Sequence, residues 1–199
     1  VDLHTALTEA GFALNETLWD FYAGQAADYT RTTSDVAEVP LSKYTDAVKT
    51  SYADYADAAV VVISRTGGEG DDLHPEVSYL DLQPDEREML AHVKENFSKI
   101  VVLLNSSNPL CLGWLEEYGV NACLWIGGPG QTGLTAVAEM LVGDRVPSGK
   151  LADTYAASAD SAPAAQNFGE FCYTNAVGQP AEMDTQYFDL TNSTGAVST

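Results

Sequence analysis

Three short apolar runs, each followed by a stretch with helical spacing, restrict this chain more than any other feature. Ala58 to Ile63 is continuous and mostly β-branched, Ile100 to Asn105 is a second such run, and Ala122 to Ile126 supplies a third. Runs of this kind, stopped by Gly, Ser, Asn and Pro, have the pattern of strands buried on both faces. After the first, Gln83-Pro84-Asp85-Glu86 opens a helix whose apolar stripe is Met89, Leu90, Val93 and Phe97, with a proline and acids suited to the first turn. After the second, Ser106 to Pro109 turns into a short helix containing Leu112, Leu115 and Tyr118 and ended by Gly119. The third leads through Gly127-Gly128-Pro129-Gly130 into a helix from Thr132 to Leu141, stopped by Gly143. Strand and helix alternating three times predict the α/β class: a three-layer sandwich with a mostly parallel sheet covered by helices on both faces and joined by right-handed crossovers.

Upstream, Leu3, Ala6, Leu7 and Ala10, then Leu14, Leu18, Phe21, Tyr22 and Ala26, fall at helical spacing, broken at Gly11 and restarted at Asn15, a good N-cap. Residues 30–56 read as a loop and a short helix. The sandwich is expected over residues 1–155, trimmed at its N-terminal edge because the chain opens on Val1 inside a helical pattern. Residues 156–199 show no periodicity and are expected to wrap the surface or to be partly mobile.

Charge narrows the partners. Of the 199 residues, 29 are acidic and 9 basic, a formal charge of −20. A nucleic-acid backbone or an anionic membrane would be repelled, so neither is an expected partner. The 45% apolar content is enough for a real core rather than a disordered acidic tail. Cys111, Cys123 and Cys172 have neither C-x-x-C spacing nor an even count, which argues against a zinc knuckle or a disulfide scaffold and favours a reducing, cytoplasmic setting. No apolar run approaches the ~20 residues of a membrane span.

In parallel sheets ligands gather at the carboxyl ends of the strands. Gly128-Pro129-Gly130-Gln131-Thr132-Gly133 satisfies G-x-G-x-x-G there, but no second strand ending in an acid follows it, so a structural turn is the simpler reading. The better candidate is Ser64 to Asp72, where Gly68 and Gly70 flank Glu69. A carboxyl group presented that way suits general acid/base work once burial or a second carboxylate tunes it. From spacing alone a solvated acidic turn is the simpler reading of this segment too. Glu69, Asp71 and Asp72 could also hold a divalent cation, but the remainder of an EF-hand pattern is missing. His4, His74 and His92 are isolated, and His92 is expected to be partly exposed on its helix.

Four segments together resemble a known family. Ser64-Arg65-Thr66-Gly67-Gly68-Glu69-Gly70-Asp71-Asp72, Val101 to Pro109, Leu124 to Gly133 and Leu141 to Leu151 resemble, in that order, the C-terminal α/β sandwich domain of family 3 glycoside hydrolases of the β-glucosidase type. The resemblance implies that Glu69 is the general acid/base, with Gly68 and Gly70 as its flanks, Arg65 as a supporting charge and Asp72 as the loop's second acid. Leu73 stands where the family pattern has Arg. It further implies a retaining double displacement on a β-linked glycoside or oligosaccharide, with the nucleophilic Asp supplied by a barrel domain of the same polypeptide. No cofactor and no metal are implied, and without the barrel the fragment is expected to be inactive. The alternatives are a non-catalytic module that binds a neutral sugar or a partner protein, and nucleotide binding at Gly128 to Gly133.

Overall fold

A computed structural model of the chain describes residues 1–26, 37–65, 80–152, 154–158, 161, 173–174 and 180–181. Three strands, β1 (Ala59–Arg65), β2 (Ile100–Ser106) and β3 (Ala122–Trp125), form a parallel sheet in the order β1-β2-β3. Among the described residues six α-helices accompany it: α1 (Leu3–Glu9), α2 (Glu16–Ala26), α3 (Asp46–Ser51), α4 (Pro84–Asn96), α5 (Trp114–Glu117) and α6 (Gly133–Val142). The architecture is the predicted α/β sandwich. Predicted helix ends are visible as hydrogen bonds: Asn15 Oδ1 accepts from the Leu18 amide at 3.1 Å, and Gly143 closes α6 at a φ of +89°.

The register sets Val61 opposite Val102 and Ile63 opposite Leu104, so their side chains share one face. That face is sealed by Met89 and Leu90 of α4 and by Trp114 and Tyr118 at α5. Each fully buried aliphatic here contributes roughly 1.5–3 kcal/mol through the water it leaves behind. The opposite face differs from the expectation of burial on both sides. Leu103 in the central strand is 0% exposed, whereas Val60 and Val62 on β1 are each 38% exposed. The reason is position: among the described residues β1 pairs only with β2, so its outer face has fewer neighbours than the central strand.

Two further clusters complete the described core. Ala6 and Leu7 of α1 meet Ala138 of α6, with Leu134 and Leu141 beside them. Tyr44, Val48 and Tyr52 gather Leu18, Phe21, Tyr22 and Phe97. His92 of α4 joins this second group, its ring centroid 6.0 Å from that of Tyr44 and 5.7 Å from that of Tyr52. It is half-buried, in line with its expected partial exposure, and desolvation, reinforced by Lys49, lowers its pKa.

Past Lys150 the chain returns to the sheet's helical layer. The amides of Leu112 and Gly113 donate to the carbonyls of Ala156 and Ala157 at 2.8 and 2.9 Å, and Tyr155 packs on the main core. A Cβ on Gly113 would lie 2.5 Å from the Ala157 carbonyl oxygen, so only glycine admits this approach. Further on, β4 (Tyr173–Thr174) and β5 (Pro180–Ala181) form a short antiparallel pair where the sequence shows no strand signal.

The aromatic cluster holds a carboxyl. Glu38 Oε1 accepts from the Tyr22 hydroxyl at 2.7 Å and from the Val39 amide at 2.8 Å. Because the Tyr22 proton is committed to Glu38, the Tyr44 hydroxyl is the donor in its own bond to Tyr22. Desolvation raises the pKa of Glu38 and, more strongly, those of Tyr22 and Tyr44. A folded-state pKa above the unfolded one contributes stability at low pH that is lost as pH rises through the folded value. Glu38→Gln keeps the oxygen that accepts both bonds and removes the buried charge. The variant is therefore expected to melt about 2–4 °C higher at pH 7, the shift that ~1 kcal/mol produces in a domain of this size. The advantage should shrink as the pH falls toward the ordinary glutamate value of 4.5. Melting curves across pH check it; an advantage that grows on acidification contradicts the assignment.

Candidate active-site rim

The carboxyl ends of the three strands are cross-tied by side chains. Ser64 Oγ donates to Asn105 Oδ1 at 3.3 Å, and Asn105 Nδ2 donates to the Gly127 carbonyl at 2.6 Å. Trp125 Nε1 donates to the Ser106 carbonyl at 2.7 Å, while Ser106 Oγ donates to the Asn108 carbonyl and accepts from the Asn108 amide. These bonds use polar groups at the point where the ladder ends and backbone partners run out.

Arg65 is the last residue of β1 and, by the period of two, points to the same face as Val61 and Ile63. Its guanidinium is buried against the start of α4. Nη1 donates to Glu86 Oε1 at 2.7 Å and to the Ser64 carbonyl at 2.8 Å; Nη2 donates to Glu86 Oε2 at 2.7 Å and to the Asp81 carbonyl at 2.9 Å. The side chains of Arg65 and Glu86 are 1% and 4% exposed. Glu86 Oε2 also accepts from the Gln83 amide at 2.7 Å, one of the donors that a helix N-terminus leaves unpaired. Asp81 is held in turn, since its Oδ1 accepts from the Leu82 amide and its Oδ2 pairs with Arg87 at 2.9 Å.

Of the residues singled out from the sequence, Arg65 is thus placed in a buried, doubly bonded ion pair. Glu69, Gly68, Gly70 and Asp72 lie outside the described residues. Glu86 was missed as a site residue: the sequence reading used it only as a favourable charge in a helix's first turn. The available signal was Arg65 itself, because a cation ending a buried strand needs an anion, and the next helix offers one at its third position. The second glycine-rich loop fits the structural reading. Gly130 adopts a φ of +64°, and a Cβ on Gly133 would come within 3.1 Å of Pro129 Cβ, so these glycines serve a tight turn and close packing.

Cys123 is a free thiol whose pKa is pushed up to about 11 by desolvation, which leaves it a poor nucleophile at neutral pH. Among the described residues, no group of three or more His, Cys, Asp or Glu is arranged to hold a metal ion, and no helix is long and apolar enough to cross a membrane.

A parallel α/β sandwich whose strand ends are tied together, with a glycine-rich acidic segment leaving the first of them, defines a class with its ligand-facing edge at those ends. The chain belongs to glycosyl hydrolase family 3: the profile of the family's C-terminal domain matches residues 5–190. A β-glucosidase from Ruminococcus albus is 32% identical over 170 residues, covering 81% of this chain and 18% of the relative. β-Glucosidase A from Butyrivibrio fibrisolvens is 32% identical over 143 residues, 59% of this chain and 17% of the relative. Among solved structures, a β-glucosidase from Paenibacillus barengoltzii superposes with a TM-score of 0.68 at 30% identity, covering 78% of this chain and 18% of that one. A Thermotoga neapolitana β-glucosidase in complex with α-D-glucose gives 0.70 at 26% identity, covering 82% of this chain and 24% of that one. The chain therefore spans less than a fifth of the length of these curated relatives.

Removing one member of a buried ion pair leaves an uncompensated charge, whereas replacing both by apolar groups of similar size is close to neutral. Glu86→Ala is expected to cost about 3–5 kcal/mol and lower the melting temperature by roughly 10 °C. The double variant Arg65→Met, Glu86→Met should stay within a few degrees of wild type. Thermal unfolding followed by far-UV circular dichroism checks both, and equal losses in the two proteins would contradict the pairing.

Proposed function

We propose that this chain contributes the general acid/base carboxyl, Glu69, to a retaining β-glycosidase whose nucleophilic Asp comes from a barrel domain of the same polypeptide. The substrate class is a β-linked glycoside, such as a β-glucoside, and no cofactor takes part. The observation that carries the reading is membership of the family over residues 5–190 together with the position of the glycine-flanked Glu69, a few residues beyond the carboxyl end of β1. That end is where parallel sheets present groups to a ligand.

In the first step the protonated Glu69 carboxyl donates its proton to the glycosidic oxygen while the Asp carboxylate attacks the anomeric carbon, expelling the alcohol and forming a covalent glycosyl ester. In the second, the Glu69 carboxylate takes a proton from water, whose oxygen attacks the same carbon and releases the sugar and the Asp. Retention of configuration requires the two carboxyl groups to lie about 5–5.5 Å apart. Splitting those groups between two domains makes the activity a property of their assembly.

The isolated 199-residue chain is expected not to hydrolyse aryl β-glucosides. In the full-length enzyme, Glu69→Gln should lower kcat/KM about 10²–10⁴-fold on substrates with poor leaving groups, the usual worth of a positioned acid. Dinitrophenyl glycosides, which leave without protonation, should be affected far less. Azide should rescue the variant and yield a β-glycosyl azide. Wild-type turnover of poor leaving groups by Glu69→Gln would sink the assignment, and the absence of glycosyl azide would favour a module that only binds.

A further inference from the structure

The guanidinium of Arg65 bridges two points of the chain that sequence separates. Arg65 closes β1, Asp81 lies sixteen residues later, and one terminal nitrogen joins them through the Asp81 carbonyl at 2.9 Å. Residues 66–79 therefore leave and rejoin the described structure on either side of a single side chain. On the other side of that side chain stands Glu86, which grips both terminal nitrogens and the Gln83 amide at once, so the returning chain is locked to the first turn of α4. Asp81 cannot turn away, because its carboxylate is engaged by the Leu82 amide and by Arg87.

We propose that Arg65 and Glu86 form a clasp that fixes both ends of the segment carrying Glu69, and that Glu86 is thereby a positioning residue for proton transfer to the glycosidic oxygen. The proposal rests on the assignment of Glu69 made above. Its physical basis is loop closure. A segment whose ends are pinned has far fewer conformations than one whose ends are free, and a general acid misplaced by about 1 Å loses about 10²-fold in rate. A lysine cannot replace Arg65, since an ammonium lacks the planar fork that meets a carboxylate and two carbonyls together. The pair's burial serves the same end, because separating two charges that are 1% and 4% exposed is costly where water does not replace the lost bonds.

The test uses the full-length enzyme and the double variant Arg65→Met, Glu86→Met, which removes the clasp without stranding a charge, with Arg65→Lys as a second variant. Phenyl and 2,4-dinitrophenyl β-glucosides are compared through kcat/KM. The expected result is a loss of about tenfold or more on the phenyl glucoside and less than about threefold on the dinitrophenyl glucoside, in both variants. Equal losses on the two substrates would mean a merely structural pair and would overturn the proposal, as would no loss on either. Hydrogen exchange at Leu80 to Gln83 gives a reading independent of catalysis: the double variant should exchange there about tenfold faster or more, with α4 beyond its first turn unchanged. Unchanged exchange overturns the clasp even where Glu69→Gln behaves as an acid/base variant. Faster exchange combined with no leaving-group effect in Glu69→Gln keeps the clasp as an anchor of the segment and rejects the Glu69 assignment instead.

Discussion

A guanidinium and a carboxylate withdrawn from water each cost several kcal/mol unless they neutralise one another and find partners for their remaining protons and lone pairs. Arg65 and Glu86 meet both conditions, and the way they meet them constrains everything nearby. β1 has to end on the residue that points toward α4. The helix has to begin so that its third position faces the sheet, and the Asp81 carbonyl has to turn inward to take the remaining donor. The same carboxylate that neutralises the cation also caps the helix through the Gln83 amide. Strand end, chain return and helix start are thus a single hydrogen-bonded unit, and the strand-end ties through Asn105 and Trp125 extend that rigidity across β2 and β3.

Two acids inside the described structure show opposite solutions to one problem. Glu86 is neutralised by a cation at 2.7 Å, whereas Glu38 is met by a tyrosine hydroxyl and a backbone amide, and its pKa rises by desolvation. The first arrangement holds one geometry tightly, because a fork-on-carboxylate pair has fixed directions. The second couples an aromatic cluster to pH. With 29 acids in the chain, these two are the instructive ones, since most acidic side chains simply sit in water.

The alternation of apolar runs and helical stripes was sufficient for the sheet, its parallel sense and the helices that follow each strand, because burial patterns are written in residue type. What it could not supply was asymmetry between faces. Val60 to Ile63 are all β-branched, yet only Val61 and Ile63 are buried, since exposure depends on how many strands and helices lie alongside β1. The short β4–β5 pair escaped notice for a related reason: two-residue strands carry no period. At the site, the four family segments pointed to Arg65 as a supporting charge, but its partner was hidden. Glu86 lies twenty-one residues on, among ordinary first-turn acids, and only folding shows that it faces inward.

The position of Arg65 also bears on why an acid/base group would be carried beyond the strand rather than on it. A residue on β1 either faces the sealed core, where an unpaired carboxyl would be costly, or the opposite face, away from α4. Glu69 lies four residues past Arg65, so at most ~14 Å of backbone contour separates the proposed acid/base residue from the anchored strand end. Glycine on either side of Glu69 carries no Cβ, which in the proposed role leaves room beside the carboxyl. On that proposal, a charge-neutralised strand end and a carboxyl carried beyond it divide the work in a way that one residue could not. Under it, Arg65 has to be buried to hold and Glu69 reachable to act.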